Sequence, residues 1–375
     1  MKRYISIGLA LVLQVSILTT PAFSAPKAGA KCSKVGSTST NSSKTYTCIK
    51  SGKRLIWNKG VSKSTATKST PVPVPVPVEI AISIDNLDLK GVPQKAYENV
   101  EAVLKTRPRT TYTPIFLLGP GVNQTRVDQE IGGLNRAIDL WQPYFLPDKF
   151  QVVYVVLGDE EWLENKSREM GLSSMVPPGD TWTIWMKKSN CSFAMAGSGN
   201  GIPTFVQCLG RPYGGGNRQT GPHEYTHLFQ EGVGQISKAY QIPWYTEGSA
   251  SFFGWTLGFY PYQATSSERI DWLNNLYRNM GPEAKSDLSS KDLVKFKSRM
   301  RSLNREADNS RTSYWAGGLA TEVLVALYGF DKFVDLTKNL ASTSSMSDLL
   351  MKTYGFDEDY FYEKLAPYVW AHLPK

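Results

Sequence analysis

The sequence has 375 residues and a formal net charge of +9. The positive charge is uneven: residues 25–79 contain ten Lys or Arg and one acidic residue, whereas residues 80–375 contain 30 basic and 32 acidic residues. A basic N-terminal part favours an anionic cell-wall polymer or membrane surface as its partner, with a merely solvated surface as the alternative. The chain has no nucleic-acid-binding motif, and we expect no nucleic-acid partner.

Residues 1–24 are predicted to be a secretory signal peptide. Lys2 and Arg3 precede an apolar run, and Ala22-Phe23-Ser24 supplies small residues at a cleavage site. The run is too short for a good membrane span, and no other segment approaches ~20 apolar residues. We therefore expect a secreted or cell-envelope-associated protein. An uncleaved N-terminal anchor is the alternative.

Four cysteines fall into two pairs of sequence neighbours, Cys32 with Cys48 and Cys191 with Cys208. None has the spacing of a zinc knuckle or a redox C-x-x-C motif. Pairing between neighbours closes two short loops, each contributing about 3 kcal/mol through loop-closure entropy. We predict two structural disulfides, which agrees with export. Free thiols are the alternative.

Three regions follow the signal peptide. Residues 25–61 include "KTYTCIKSGKRLIWNKG" and predict a small β module with a hairpin at its Ser-Gly-Lys turn. Residues 62–79 are rich in Ser, Thr and Lys and end in Pro-Val repeats, which predicts a spacer with an extended polyproline II segment. Residues 80–375 are long enough to bury a substantial core in one or two subdomains.

Residues 80–246 are predicted to mix strands and helices. Short apolar runs bounded by Gly or Pro predict strands in "TPIFLLG", "FQVVYVVLG", "TWTIWM" and "TFVQCLG". The segment "DQEIGGLNRAIDLWQPYF" places apolar residues from Ile131 to Trp141 on one helical stripe, despite its Gly pair. From Tyr225 onward the pattern is almost entirely helical, so residues 247–375 are predicted to form a helical subdomain. The predicted fold class is α+β.

The stretch "TGPHEYTH" holds two of the three histidines in the chain. Pro222 suits the first turn of a helix, and on that helix His223 and His227 project from one face. Two imidazoles at this spacing can bind one Zn²⁺, and Glu224 can take a proton from the attacking water and return it to a leaving amine. This is the metalloprotease interpretation of H-E-x-x-H. The alternative is a surface helix with two incidental histidines.

A carboxylate is expected to be the third metal ligand. Catalytic zinc commonly has three protein ligands and an open position, and the remaining histidine, His372, lies at the extreme C-terminus. Glu247 lies in "IPWYTEGSASFFGW", in the first turn of an apparent helix that would pack against the histidine helix. His223, His227 and Glu247 are therefore the predicted ligands of one zinc ion per chain, since this donor set suits zinc.

"HEYTH" followed by "WYTEGSA" resembles the gluzincin zinc metallopeptidases, and the second motif is closer to their aminopeptidase-like branch than to thermolysin. The resemblance covers about residues 204–340. It implies a zincin-like catalytic domain, with a mixed sheet and an active-site helix before the helical subdomain. It also implies hydrolysis of peptides or proteins, with Glu224 as general base. The N-terminal module resembles small Cys-containing modules of secreted actinobacterial proteins, which implies no function.

The aminopeptidase-like branch has a Tyr-x-x-Gly motif that opens a helix downstream of the ligand glutamate. Here "SYWAGG" places Tyr314 and Gly317 in that position. The resemblance implies that the Tyr314 hydroxyl stabilises the tetrahedral oxyanion, a role that some donor must fill. An ordinary core tyrosine is the alternative. Tyr245, Tyr260 and Tyr262 are rivals.

Two features depart from the gluzincin pattern. Ser251 stands where thermolysin-type enzymes carry an Asp that supports a histidine, which leaves the outer partners of the ligands unassigned. The stretch "AGSGNGIPTFVQCLGRPYGGG" lacks the acidic residue with which aminopeptidases bind a free amine, so aminopeptidase specificity is not predicted. The same stretch is expected to provide the edge strand along which an extended substrate adds. Its Gly-rich loop, residues 213–216, is interpreted as a connector.

The predicted function is that of a secreted zinc-dependent peptidase. A cell-envelope binding protein with an inactive zincin-like domain is an alternative from another class, and a zinc hydrolase of a non-peptide substrate is a third. The presence of Glu224 argues against the binding protein, because a purely structural zinc site closes its fourth position and has no use for a base.

Overall fold

A computed structural model describes residues 26–41, 44–62, 82–210, 216–234, 242–259, 267–303 and 311–374. The chain forms two compact units, Met1–Glu79 and Ile80–Lys375. The predicted signal peptide and nearly all of the predicted linker lie outside the described residues. Within the described part, no helix combines the length and the apolar character needed to cross a membrane.

The first unit is an antiparallel sheet of four strands, β1 (Thr38–Asn41), β2 (Lys44–Ser51), β3 (Arg54–Trp57) and β4 (Val61–Ser62). The predicted hairpin is formed by β2 and β3, which pair Ser51 with Arg54. Gly52 in the turn has a φ of 58°, which glycine adopts without steric penalty. Cys48 on β2 is fully buried and is bonded to Cys32, as predicted.

The second unit has a four-stranded sheet of β5 (Ile115–Leu118), β6 (Gln151–Val155), β7 (Ala194–Gly199) and β8 (Ile202–Cys208). The strand order is β5-β6-β8-β7, in which β5, β6 and β8 are parallel and β7 is an antiparallel edge strand. Asn200 and Gly201 connect β7 to β8 with φ values of 50° and 78°. Two positive φ angles are typical of a tight two-residue hairpin loop. The Cys191–Cys208 disulfide, also predicted, ties the start of this hairpin to its end.

Helices make up most of the second unit. They are α1 (Gly91–Thr106), α2 (Gln124–Trp141), α3 (Glu160–Met170), α4 (Trp182–Lys188), α5 (Thr220–Gly234), α6 (Pro243–Gly258), α7 (Ser267–Arg278), α8 (Pro282–Ser289), α9 (Leu293–Ser302), α10 (Arg311–Tyr328), α11 (Phe330–Asn339), α12 (Met346–Tyr354) and α13 (Glu358–Ala371). Among the described residues of this unit, strands occur only before α5, and the elements after α5 are helices. The predicted α+β class is confirmed.

One predicted strand is wrong. The runs "TPIFLLG", "FQVVYVVLG" and "TFVQCLG" contain β5, β6 and β8, but "TWTIWM" lies in α4. The side chain of Thr181 caps this helix by accepting a hydrogen bond from the backbone N–H of Ile184, at 3.2 Å. Trp182 and Met186, four residues apart, are both buried. A short helix with aromatic and β-branched residues has the composition of a strand, and only the cap and the i,i+4 spacing distinguish it.

Helices α2, α5, α6 and α11 meet in an aromatic core. Trp141 at the end of α2 stacks on Phe229 of α5 at 3.8 Å between ring centroids and meets the edge of Phe253 of α6 at 4.8 Å. Each such buried side chain contributes about 1.5–3 kcal/mol by removal from water. The Gly pair in α2 also has a role here, because a Cβ on Gly133 would lie 3.1 Å from Pro222 on α5. This core fixes α5 against α6, the two helices that carry the predicted metal ligands.

Candidate metal centre

The three predicted ligands come from two packed helices. His223 and His227 lie one turn apart on α5, and Pro222 lies in the first turn of that helix, as expected. Glu247 is the fifth residue of α6 and so lies in its second turn, not in the predicted first. Among the described residues, these three form the one group of His, Cys, Asp or Glu side chains that could hold a metal ion.

The ligand atoms are spaced as a tetrahedral metal requires. The two histidine Nε2 atoms lie 3.1 Å apart, and Glu247 Oε2 lies 3.5 Å from each of them. Ligand atoms bound tetrahedrally at about 2.0–2.1 Å are separated from one another by about 3.3–3.4 Å. Two imidazoles and one carboxylate at these separations fit a divalent cation such as Zn²⁺.

Electrostatics also favour a cation at this point. Burial raises the pKa of Glu247, but the facing His227 and His223 together lower it by more. The pKa of Glu247 therefore lies well below the usual range. Burial lowers the pKa of His227, whereas the charge of Glu247 raises it, to about 9. Glu247 Oε2 is buried and lies 3.5 Å from the Nε2 atom of each histidine. A buried carboxylate of this kind costs free energy unless a positive charge neutralises it.

Gln230 orients one of the ligands, and the sequence interpretation missed it. Its Oε1 lies 2.9 Å from His227 Nδ1, so it accepts the Nδ1 proton and leaves Nε2 with a lone pair for a metal. Its Nε2 donates to the Thr246 carbonyl oxygen at 3.0 Å and to Ser249 Oγ at 2.7 Å. Gln230 thus joins the histidine helix to the glutamate helix. Its position three residues after His227, on the same helical face, is the sequence signal that could have revealed it.

We expect Gln230→Leu to weaken zinc binding by about 10–100-fold, since outer partners of metal-ligating histidines typically have effects of this size. Ser251→Ala is the matched control. Ser251 occupies the position where an outer partner was expected, but its Oγ is buried with no hydrogen bond to any described residue. Zinc affinity measured by competition with a chelator checks both variants. Equal losses in the two variants would contradict the role of Gln230.

Glu224 is placed as a base beside the ligands. Its side chain is 5% exposed. Burial raises the pKa of Glu224, the charges of His223 and His227 lower it, and the net result is a raised pKa. The backbone N–H of Ala196 on edge strand β7 also favours the charged form of the carboxylate and lowers its pKa. A carboxylate whose pKa is raised towards neutral pH is better matched to proton transfer.

Tyr314 joins the same group of side chains from α10. Its ring is parallel to that of His223, with 5.6 Å between ring centroids. Burial raises the pKa of the phenol well above its usual value, and the charges of Glu247 and Glu224 raise it further, so Tyr314 stays a neutral donor. Its rival Tyr245 is a core residue whose hydroxyl is 2.6 Å from Thr337 Oγ1. The rivals Tyr260 and Tyr262 lie outside the described residues.

Two glycines determine how closely α6 approaches α10. Gly248 follows the third ligand, and Gly317 lies one turn after Tyr314. A Cβ on Gly317 would lie 3.0 Å from Gly248 Cα and still closer to the carbonyl oxygen of Trp244. Only glycine allows this backbone contact. The close approach of the two helices brings the Tyr314 phenol near the Glu247 carboxylate. This contact gives a physical reason for the glycines in "TEGSA" and "SYWAGG".

We expect Gly317→Ala to lower the free energy of unfolding by about 1–3 kcal/mol, because the added methyl group forces the two helices apart. Gly132→Ala on α2 is the control: nothing lies within 4 Å of its Cβ position. Alanine in an open helical position should stabilise by about 0.5–1 kcal/mol. Urea unfolding measures both, and a Gly317→Ala protein as stable as Gly132→Ala would contradict the close packing.

A cleft of about 680 Å³ opens onto these residues. Its lining includes His223, Glu224 and Tyr314, together with Ala194 and Met195 of edge strand β7. Many of the side chains that line the cleft are apolar; these include Met175, Val176, Pro177, Trp185, Phe193 and Met195. The predicted edge strand therefore borders the space in front of the metal ligands.

The other predicted residues are not part of the metal group. His372 is not in the metal group, since its Nε2 lies 3.3 Å from the Arg269 guanidinium and its Nδ1 2.9 Å from the Tyr368 carbonyl oxygen. Cys191 and Cys208 line the cleft, but as a disulfide. Residues 213–215 of the Gly-rich loop lie outside the described residues.

Compared with known proteins, the sequence matches no protein-family model and none of the curated proteins.

Proposed function

We propose that this chain is a zinc-dependent peptidase whose second unit has a zincin-like fold. The observation that carries the proposal is the spacing of 3.1–3.5 Å among the nitrogen and oxygen atoms of His223, His227 and Glu247. Glu224 and Tyr314 beside these ligands supply the acid–base and donor groups that hydrolysis needs and that a structural metal site does not. The proposed cofactor is one Zn²⁺ per chain.

When bound, zinc supplies Lewis acidity, which lowers the pKa of water and polarises a carbonyl oxygen. The residues of the chain do the rest. The Glu224 carboxylate accepts the proton of the attacking water and then donates it to the nitrogen of the leaving amine. The Tyr314 hydroxyl donates a hydrogen bond to the oxyanion that develops on the attacked carbonyl. Burial of both side chains strengthens these interactions, because it lowers the local dielectric constant.

Edge strand β7 is the proposed docking site for an extended peptide. One side of this strand pairs with β8, and the other has no strand partner among the described residues. A peptide added to that edge would gain main-chain hydrogen bonds, as in other β-augmented complexes. Since Ala194 and Met195 of β7 line the same cleft as Glu224, a peptide on this strand would lie beside the base. The substrate class is therefore peptides or unfolded protein segments.

The proposal includes export and a role for the first unit. The two disulfides and the predicted signal peptide favour a secreted or envelope-associated protein. Residues 25–61 contain eight Lys or Arg and no acidic residue. We propose that this unit contacts an anionic cell-wall or membrane surface and so holds the peptidase near its substrates.

The experiment is hydrolysis of a diverse peptide mixture by the zinc-loaded chain, with products identified by mass spectrometry. We expect cleavage that a chelator abolishes and that one equivalent of zinc restores. The cut positions distinguish removal of terminal residues from internal cleavage. A chain that binds one zinc ion tightly but cleaves no peptide would contradict the peptidase and favour the inactive binding protein or a non-peptide substrate.

A further inference from the structure

Among the described residues, one basic side chain lines the candidate active-site cleft. Arg311 is the single Lys or Arg among the described residues that line it. The side chain is exposed and forms no ion pair with any described residue. Its guanidinium carbon lies 5.5 Å from the ring centroid of Tyr314. A guanidinium in this setting is free to bind an anion that enters the cleft.

Arg311 lies close to the predicted metal ligands. Arg311 opens α10 one turn before Tyr314, so both side chains project from the same face of the helix. The Tyr314 ring in turn lies 5.6 Å from that of His223. These two distances place the guanidinium within about three extended residues of the metal ligands. An anion bound by Arg311 would therefore belong to the substrate itself, close to the bond that is cleaved.

The other residues that line the cleft indicate which kind of anion would bind there. Glu224 is the only acidic residue among the described lining residues, and it is 5% exposed. Much of the remaining lining is apolar, from Met175 to Pro177 and from Phe193 to Met195. A peptide that fits this lining presents an apolar side chain to these residues and a carboxylate to Arg311. Planar guanidinium groups match carboxylates geometrically and bind them with paired hydrogen bonds.

We propose that Arg311 is a specificity-determining residue that selects peptides with a carboxylate within about three residues of the scissile bond. The inference rests on the proposed peptidase function and adds its substrate class. The carboxylate is either the C-terminus of the peptide or the side chain of Asp or Glu. In the first case the enzyme removes short C-terminal fragments, and in the second it cuts internally next to acidic residues.

The test uses matched peptides that differ only in the carboxylate. One pair compares a free C-terminus with a C-terminal amide. The other compares Glu with Gln in peptides blocked at both ends. We expect the wild type to favour the carboxylate member of one pair by about 10–100-fold in kcat/KM, the range for hydrogen bonds to charged groups. Arg311→Gln should remove this preference mainly through KM, and Arg311→Lys should restore part of it.

The matched control is Arg278→Gln, which removes one positive charge from an exposed position on α7 that is not part of the cleft lining. It should keep the wild-type preference. If Arg311→Gln lowers kcat/KM equally for both members of each pair, or if the wild type shows no preference, the carboxylate site is wrong while the peptidase stands.

A binding measurement separates this inference from the proposed function. Peptide affinity is measured by calorimetry on the zinc-loaded Glu224→Gln chain, with and without Arg311→Gln. Tighter binding of the carboxylate member, lost with Arg311→Gln, supports the site even if the wild type hydrolyses no peptide. Equal binding of both members overturns the site whether or not peptides are cleaved.

Discussion

Glu224→Gln is expected to lower kcat for peptide hydrolysis by about 10²–10⁴-fold, the usual contribution of a positioned general acid–base group. The amide cannot accept the proton of the attacking water, yet it is nearly the same size as the carboxylate. Its oxygen can still face the backbone N–H of Ala196. The substitution therefore removes the base without opening a cavity.

The measurement combines hydrolysis rates with zinc content and thermal stability. Glu224→Gln should bind one zinc ion per chain and unfold at or above the wild-type temperature, because it removes a buried carboxylate whose desolvation is costly. Glu161→Gln, an exposed change on α3, should leave all three properties unchanged. Wild-type activity in Glu224→Gln would rule out the proposed base.

The parts of the site that follow from helix geometry could be predicted from the sequence. The i,i+4 spacing of His223 and His227 determines that both project from one side of a helix. Because no third histidine lies nearby in the sequence, the third ligand was predicted to be a carboxylate. In the structure the Glu247 carboxylate lies beside the two histidines. Gln230 was not predicted, because its role depends on contacts with Thr246 and Ser249 on another helix. Its spacing from His227 places it on the face of the ligands, but that spacing alone does not show these contacts.

Packing explains what else the sequence did not reveal. The glycines at 248 and 317 look like helix-weakening residues until the backbones of α6 and α10 are seen in contact. Arg311 looks like one of 42 basic residues, and its importance comes from the cleft that α10 borders. The run "TWTIWM" was assigned from composition, whereas the Thr181 cap determined its conformation. Residue types and spacing thus predict the reacting groups, but the supporting contacts come from tertiary structure.

The largest effect on metal binding is expected from Glu247→Gln. A loss of zinc affinity greater than 100-fold is expected, because removal of a ligand should exceed the 10–100-fold effect of losing an outer partner. The substitution also removes the negative charge that raises the pKa of His227. Burial, which lowers that pKa, is then opposed only by Glu224 and Gln230 among the influences named here, so the pKa of His227 should fall. Glu247→Gln therefore changes both the affinity and its pH dependence.

The pH dependence gives this prediction a second readout. In the metal-free wild type the pKa of His227 is about 9, so its imidazole is protonated at pH 7 and must lose a proton to bind zinc. Apparent zinc affinity should rise about tenfold per pH unit from pH 7 towards pH 9 and then level off, because one proton is released per ion bound. In Glu247→Gln the pKa of His227 should be lower, so less of the imidazole is protonated at pH 7 and the affinity should change less with pH. Chelator competition at pH 7, 8 and 9 measures both slopes. Equal slopes would show that Glu247 does not control the protonation of His227, and the ligand arrangement derived from α5 and α6 would have to be revised.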